Sequence, residues 1–224
     1  MICGEKKMDR EELRKTMLLY AVTDSQWLKE GETLAGKVRE AIEGGATFVQ
    51  LREKEMDDES MEKLALEVKK VCEEYGVPFV LDDNVMLAKK IDCDGVHVGQ
   101  EDMEAGRVRE IIGPDKILGV SAKTVEQALL AQEMGADYLG VGAVFSTGTK
   151  PTAKSCSLEM VKKITDAVDI PCIAIGGIGM GNVEQLAGLG LDGIAVVSAI
   201  FAQKDVKEAA AALKEKTAGV MYQK

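Results

Sequence analysis

The stretch TFVQLREKEMDD, residues 47–58, opens like a buried strand and ends among charges. In an extended chain side chains alternate, so Phe48, Gln50, Arg52 and Lys54 share one side and Val49, Leu51 and Glu53 the other. An amide, a guanidinium and an ammonium aimed together have two readings. At the edge of an open sheet they form a solvated face. A closed barrel has no edges, and the outer face of each strand meets apolar helices. Val49 and Leu51 then point outward, Gln50 and Arg52 inward, and Lys54 to the rim. A cation turned inward without a partner is costly, so an anionic ligand is the economical explanation.

The rest of the chain decides between them. Eight short apolar segments recur: LLYAVTD (18–24), TFVQLRE (47–53), VPFVLDD (77–83), GVHVGQ (95–100), KILGVSA (116–122), DYLGVGAVF (137–145), IPCIAIGG (170–177) and GIAVVSAI (193–200). Their length and β-branched content suit strands covered on both faces. Amphipathic helical stretches such as DESMEKLALEVKKVCEEYG and TVEQALLAQEMGA lie between most of them. A weak internal rhyme accompanies this: EGGATFVQL, EMGADYLGV and GLGLDGIAV each close a helix with glycine and enter a strand. Eight β/α units in 224 residues specify an α/β fold, a single (β/α)8 TIM barrel, more naturally than an open doubly wound sheet. We expect one domain over residues 1–224, with the barrel from about residue 18 to 216 and a short helix at about 9–17 before it.

Composition narrows the partners. The chain is 46% hydrophobic and 29% charged, with a formal net charge of -10, which argues against nucleic acid or an anionic membrane as a bulk partner. Five scattered cysteines without a CxxC pair, and a single histidine, argue against a zinc site or a disulfide framework. The N-terminus carries no apolar leader pattern, and the longest apolar run is too short to span a bilayer; we expect a cytoplasmic protein. Oligomeric state is open, a homo-oligomer included.

In a barrel of this kind the site lies at the C-terminal ends of the strands. Asp82, Asp83 and Asp102 fall there, beside the basic cluster, and suit Mg2+, an oxygen-seeking cation often shared with substrate phosphates. The competing reading is helix capping, by Asp83 or Asn84 for VMLAKK and by Asp102 near MEAGRVREII. VFSTGTKP would bring Thr147, Thr149 and Lys150 over the cavity, although it does not match the phosphate-loop pattern GxxxxGK[ST]. AIGGIGMGN and VVSAI end the last two strands, a frequent phosphate-binding region where glycine lets oxygen approach backbone N–H groups. GLGLDG (188–193) matches GxGxxG literally but precedes a strand, the wrong context for a dinucleotide fold. His97 reads as a packed strand residue, and Cys156 has no histidine nearby in sequence to activate it.

Taken in order, QLREK, LDDN, GVHVGQED, LGVSA, STGTK, IGGI and VVSAI resemble the thiamine phosphate synthase family over most of the chain. The resemblance implies a TIM-barrel transferase of thiamine biosynthesis. It would join a hydroxymethylpyrimidine diphosphate to a thiazole phosphate with Mg2+, releasing diphosphate. It further implies that Gln50, Leu51, Arg52, Glu53, Lys54, Asp82, Ser121 and Lys150 meet the pyrimidine diphosphate. Arg52, Lys54, Ser121 and Lys150 would be catalytic. Asp83 and Asp102 would hold the metal, and Thr147, Gly148, Thr149, Gly177, Val197 and Ser198 the thiazole phosphate. Two departures stand out: Asp82 replaces the family's usual asparagine, and Ser146 its usual proline. Two alternatives share part of the pattern. A thiazole tautomerase of related fold needs a phosphate site and a general acid/base but no diphosphate cluster, and a non-enzymatic paralogue would bind the ligands without turnover.

Overall fold

A computed structural model describes residues 8–53, 56–146 and 156–222. Eight parallel strands close into one barrel in sequence order: β1 (Leu19–Val22), β2 (Phe48–Leu51), β3 (Phe79–Asp82), β4 (Gly95–Val98), β5 (Ile117–Ala122), β6 (Tyr138–Gly142), β7 (Cys172–Ile175) and β8 (Gly193–Val196). The circle shuts where β1 pairs with β8, Tyr20 opposite Ala195. The edge-strand reading of residues 47–58 is thereby excluded.

Alternation sorts each strand into two layers. Leu19 and Ala21, Val49 and Leu51, and Phe79 and Leu81 face outward into the core shared with the helices. Tyr20 and Val22, Phe48, Val80 and Tyr138 face inward and fill the barrel. Tyr20 stacks on Phe48 with ring centroids 4.6 Å apart. The interior admits these rings because Gly119 faces them: a Cβ there would lie 2.2 Å from Cζ of Tyr138 and 2.5 Å from Nδ1 of His97.

A short helix, α1 (Arg10–Thr16), precedes the barrel, and the outer ring comprises α2 (Leu34–Glu43), α3 (Asp58–Tyr75), α4 (Val85–Lys90), α5 (Ala105–Ile112), α6 (Val125–Glu133), α7 (Leu158–Ala167), α8 (Ser198–Phe201) and α9 (Val206–Met221). Side chains of Thr33, Asp57, Asn84, Thr124, Ser157 and Asp205 cap their helices by accepting backbone N–H bonds. Between β7 and β8 the expected helix is only a 3-10 turn, Val183–Leu186. The predicted segment 193–200 likewise splits, since β8 ends at Val196 and Ser198 starts α8. Among the described residues no helix is long and apolar enough to cross a membrane.

The N-terminal face carries a fourfold device. The residue before each even-numbered strand accepts a backbone N–H from the start of the preceding odd strand, its first residue or, in β5, its second: Thr47 from Leu19 (2.9 Å), Asp94 from Phe79 (2.8 Å), Asp137 from Leu118 (2.8 Å) and Asp192 from Cys172 (2.9 Å). Parallel strands leave such donors unpaired at their starts, and an unpaired donor sheltered from water costs about 1–3 kcal/mol. The internal rhyme marked three of these four positions. Here α1 also joins the barrel bottom: Leu13 and Met17 enter the inner core, and Arg14 pairs with Asp192 at 2.6 Å.

Candidate active site

At the C-terminal mouth, inward residues of most strands converge on a cavity of about 450 Å3. From β2 and its end come Gln50 and Arg52; from β3, Asp82 and Asp83; from the loop after β4, Asp102. Ser121 enters from β5, and Gly177, Val197 and Ser198 from the ends of β7 and β8. A smaller hollow beside it joins Gly177, Gly179, Asn182 and Ser198 to Ser146. Nine residues singled out from sequence thus share one cavity, though they are scattered over almost 150 positions of the chain.

The first carboxylate is already engaged. Asp82 Oδ2 lies 3.5 Å from Nε of Arg52, and Oδ1 accepts from Nε2 of Gln50 at 3.2 Å. Asp83 follows with φ of 59°, a left-handed conformation uncommon outside glycine and concentrated at functional positions. The cap of α4 is Asn84, whose Oδ1 accepts from the Leu87 N–H, so the capping explanation does not apply to Asp83. Asp102 caps no helix either. Its Oδ2 accepts the Gly99 N–H at 2.8 Å and shapes the loop, while α5 starts after Glu104 without a side-chain cap.

Leu51 and Glu53 stand apart from the cavity lining. The Leu51 side chain is fully buried in the outer core, leaving its backbone as what it can offer a ligand. Glu53 turns to the loop after β1, accepting from the hydroxyl (2.5 Å) and backbone N–H (3.2 Å) of Ser25. Burial pushes its carboxyl up, against the lowering effect of the Ser25 bonds. Lys54, Thr147, Gly148, Thr149 and Lys150 lie outside the described residues.

Gly177 and its neighbour bring the β6 and β7 loops together. Gly177 has φ of 63°, and a Cβ on it would fall 2.3 Å from the Ser146 carbonyl oxygen. At Gly176, φ is 101° and a Cβ would fall 2.5 Å from that of Ala143. Only glycine fits either place.

His97 is both packed and part of the site. It is 8% exposed, its ring tilts against Tyr138, and it lines the cavity. Nδ1 shares a hydrogen bond with the Tyr138 hydroxyl at 3.0 Å, and Nε2 one with Ser121 Oγ at 2.9 Å. Burial drives its pKa down to about 4, opposed by the charge of Asp102, so the ring is neutral at pH 7. Sequence reading assigned the packing and missed the hydroxyl contacts, because Ser121 and Tyr138 lie on other strands. Glu101, Gln100 and Lys123 also line the cavity. Position at a strand end was the available signal for them. Cys156 is buried, and burial raises its thiol pKa.

The comparisons with known proteins agree with this architecture. Residues 19–200 match the family model described as thiamine monophosphate synthase. A thiamine-phosphate synthase of Ruminiclostridium cellulolyticum is 51% identical over 88% of this chain and 93% of its own length. One from Clostridioides difficile is 46% identical over 90% and 95%. The solved thiamine phosphate pyrophosphorylase of Pyrococcus furiosus superposes with a TM-score of 0.85 at 39% identity, covering 93% of this chain and 99% of that one. A geranylgeranylglyceryl phosphate synthase of Thermoplasma acidophilum, 18% identical with a TM-score of 0.68, shares the fold. By family match, identity and coverage together, the chain belongs to the thiamine monophosphate synthase family.

Proposed function

We propose that the chain is a transferase that couples 4-amino-2-methyl-5-hydroxymethylpyrimidine diphosphate to 4-methyl-5-(2-phosphooxyethyl)thiazole, giving thiamine phosphate and diphosphate. The observation that carries this reading is the convergence of Gln50, Arg52, Asp83, Asp102 and Ser121 with Gly177 and Ser198 on one mouth, in a chain of this family.

In the reaction the methylene C–O bond breaks with its electron pair leaving on diphosphate. The thiazole nitrogen lone pair then forms the C–N bond. Arg52 takes up charge that grows on the departing oxygens, and the family resemblance assigns Lys54 and Lys150 the same task. A well-placed electrostatic contact of this kind is worth on the order of 3 kcal/mol. The aminopyrimidine delocalises the cation left behind, so no protein nucleophile is needed. The cavity holds the nitrogen against the carbon, and proximity contributes roughly 7–11 kcal/mol.

Mg2+ suits the donor set: two carboxylates, Asp83 and Asp102, line the mouth that also presents Arg52, and this cation is commonly held by one or two carboxylates with phosphate oxygens and water. When bound it supplies further neutralisation of the diphosphate. The hollow formed by Gly177, Gly179, Asn182 and Ser198 suits the thiazole phosphate, at the end of β7 and β8 where barrels frequently hold such groups. The partners are therefore small phosphorylated molecules, and a cytoplasmic site of action follows from that chemistry.

The test is to incubate the protein with both heterocyclic phosphates and Mg2+ and to measure thiamine phosphate and diphosphate together. Stoichiometric appearance of both is expected. Isomerised thiazole without coupling would make it a tautomerase, and binding without any product a ligand-binding paralogue.

A further inference from the structure

Four polar side chains form a single file through the barrel interior. The Tyr20 and Tyr138 hydroxyls lie 2.7 Å apart, Tyr138 meets Nδ1 of His97 at 3.0 Å, and Nε2 meets Ser121 Oγ at 2.9 Å. The file starts at Tyr20, 1% exposed, and ends at Ser121 on the cavity wall.

With a neutral imidazole the file holds four polar hydrogens: one each on Tyr20, Tyr138, His97 and Ser121. Three links consume three of them, and one remains. Among the described residues the Tyr20 hydroxyl bonds to Tyr138 alone, so a hydrogen left at that end is buried without an acceptor. A hydrogen left at the Ser121 end faces the cavity instead. Leaving a buried donor unsatisfied is disfavoured on the order of tenfold or more. The file therefore runs one way: Tyr20 donates to Tyr138, Tyr138 to Nδ1, and Nε2–H to Ser121 Oγ.

We propose that His97 is a positioning residue. Held as the Nε2–H tautomer by the Tyr20–Tyr138 pair, it fixes the Ser121 hydroxyl as a hydrogen-bond donor aimed at an acceptor atom of the pyrimidine diphosphate, a ring nitrogen or a phosphate oxygen. The surrounding packing keeps the ring from turning. Gly119 and Gly140 leave room on one side, where a Cβ would lie 2.5 Å from Nδ1 and 3.1 Å from Cε1. Tyr138 covers another, with centroids 5.5 Å apart. The identity of the acceptor rests on the function proposed above; the direction of the file does not.

The chain contains a single histidine, so nitrogen-15 NMR of the ring reads His97 alone. In the full-length wild-type protein at pH 7 we expect a pyridine-type Nδ1 and a pyrrole-type Nε2. A pyrrole-type Nδ1, an averaged mixture or an imidazolium would overturn the proposal, whatever the activity. Tyr138→Phe keeps the ring and removes the hydroxyl that donates to Nδ1. It should move the nitrogen shifts toward the other tautomer and lower kcat/KM for the pyrimidine diphosphate about tenfold, with KM for the thiazole phosphate unchanged. Unmoved shifts in this variant would also overturn the proposal. Ser121→Ala separates the two ideas: the expected tautomer with undiminished turnover would remove Ser121 from substrate contact and sink the positioning role while leaving the coupling reaction itself intact.

Discussion

Arg52 Nε lies 3.5 Å from Asp82 Oδ2, with side chains 17% and 16% exposed, so the cation at the cavity mouth already has a counter-ion within the protein. The same carboxylate accepts from Gln50. Asp82 thus orders two side chains for a ligand and opposes an anionic one. Asp82→Asn keeps the size and removes the charge. It should tighten binding of inorganic diphosphate roughly fivefold, about 1 kcal/mol. Titration calorimetry measures this directly, and weaker binding by the variant would show that the carboxylate helps hold the anion.

On the opposite face, Asp137 accepts from the Leu118 N–H and pairs with Arg109 at 2.6 Å. Asp137→Ala strands the Leu118 donor and removes the counter-ion of Arg109, which keeps its bonds to the Gly113, Lys116 and Gly135 carbonyls. A loss of about 2–3 kcal/mol in urea unfolding is expected, with kcat per folded molecule unchanged because the site is at the other end. A loss below about 0.5 kcal/mol would make the fourfold bracket ornamental.

His97 gives stability a pH dependence of known sign. Its native pKa is about 4 against an ordinary 6.5, so below 6.5 the unfolded chain takes a proton that the native one refuses. Stability is full above that point and falls as the pH drops toward 4. Between pH 7 and pH 5 the loss should be about 2 kcal/mol. Glu53, raised by burial, works in the opposite sense, so the measurement is the difference between wild type and His97→Gln. Parallel stability profiles for the two proteins in this window would refute the assignment.

At Gly177 a methyl group meets both a left-handed φ of 63° and the Ser146 carbonyl oxygen at 2.3 Å. Gly177→Ala should displace the backbone at Ser146 and with it the hollow that both residues line. The expected effect is a fall of on the order of tenfold or more in kcat/KM for the thiazole phosphate. Steady-state kinetics with each substrate varied in turn checks it; an unchanged value would mean that the loop contact does not shape that subsite.

What the sequence disclosed follows from the range of each physical rule. Alternation is local, so Gln50 inward and Leu51 outward could be read from residues 47–58, once eight β/α units required a closed sheet. Asp83 could be placed at a strand end, but that Asn84 and not Asp83 caps α4 could not be read, since either residue is chemically able to take that bond. Pairings across strands were beyond reach. Nothing near His97 in sequence announces Tyr138 or Ser121, 41 and 24 positions away, and nothing in LREK shows that Glu53 turns back to Ser25. The 3-10 turn between β7 and β8 was hidden by GMGNVEQLAGLG, whose few apolar residues also fit a short helix.

The central idea is that Arg52 and the Asp83–Asp102 side of the mouth grip the same diphosphate. A double-mutant cycle with Arg52→Ala and Asp102→Ala, read as calorimetric affinity for inorganic diphosphate with saturating Mg2+, isolates that relation. Groups acting on one bound fragment should couple by about 1 kcal/mol or more, so the double variant loses clearly less or more than the two single losses combined. Losses that add within about 0.3 kcal/mol would place the two residues on separate business and contradict the account.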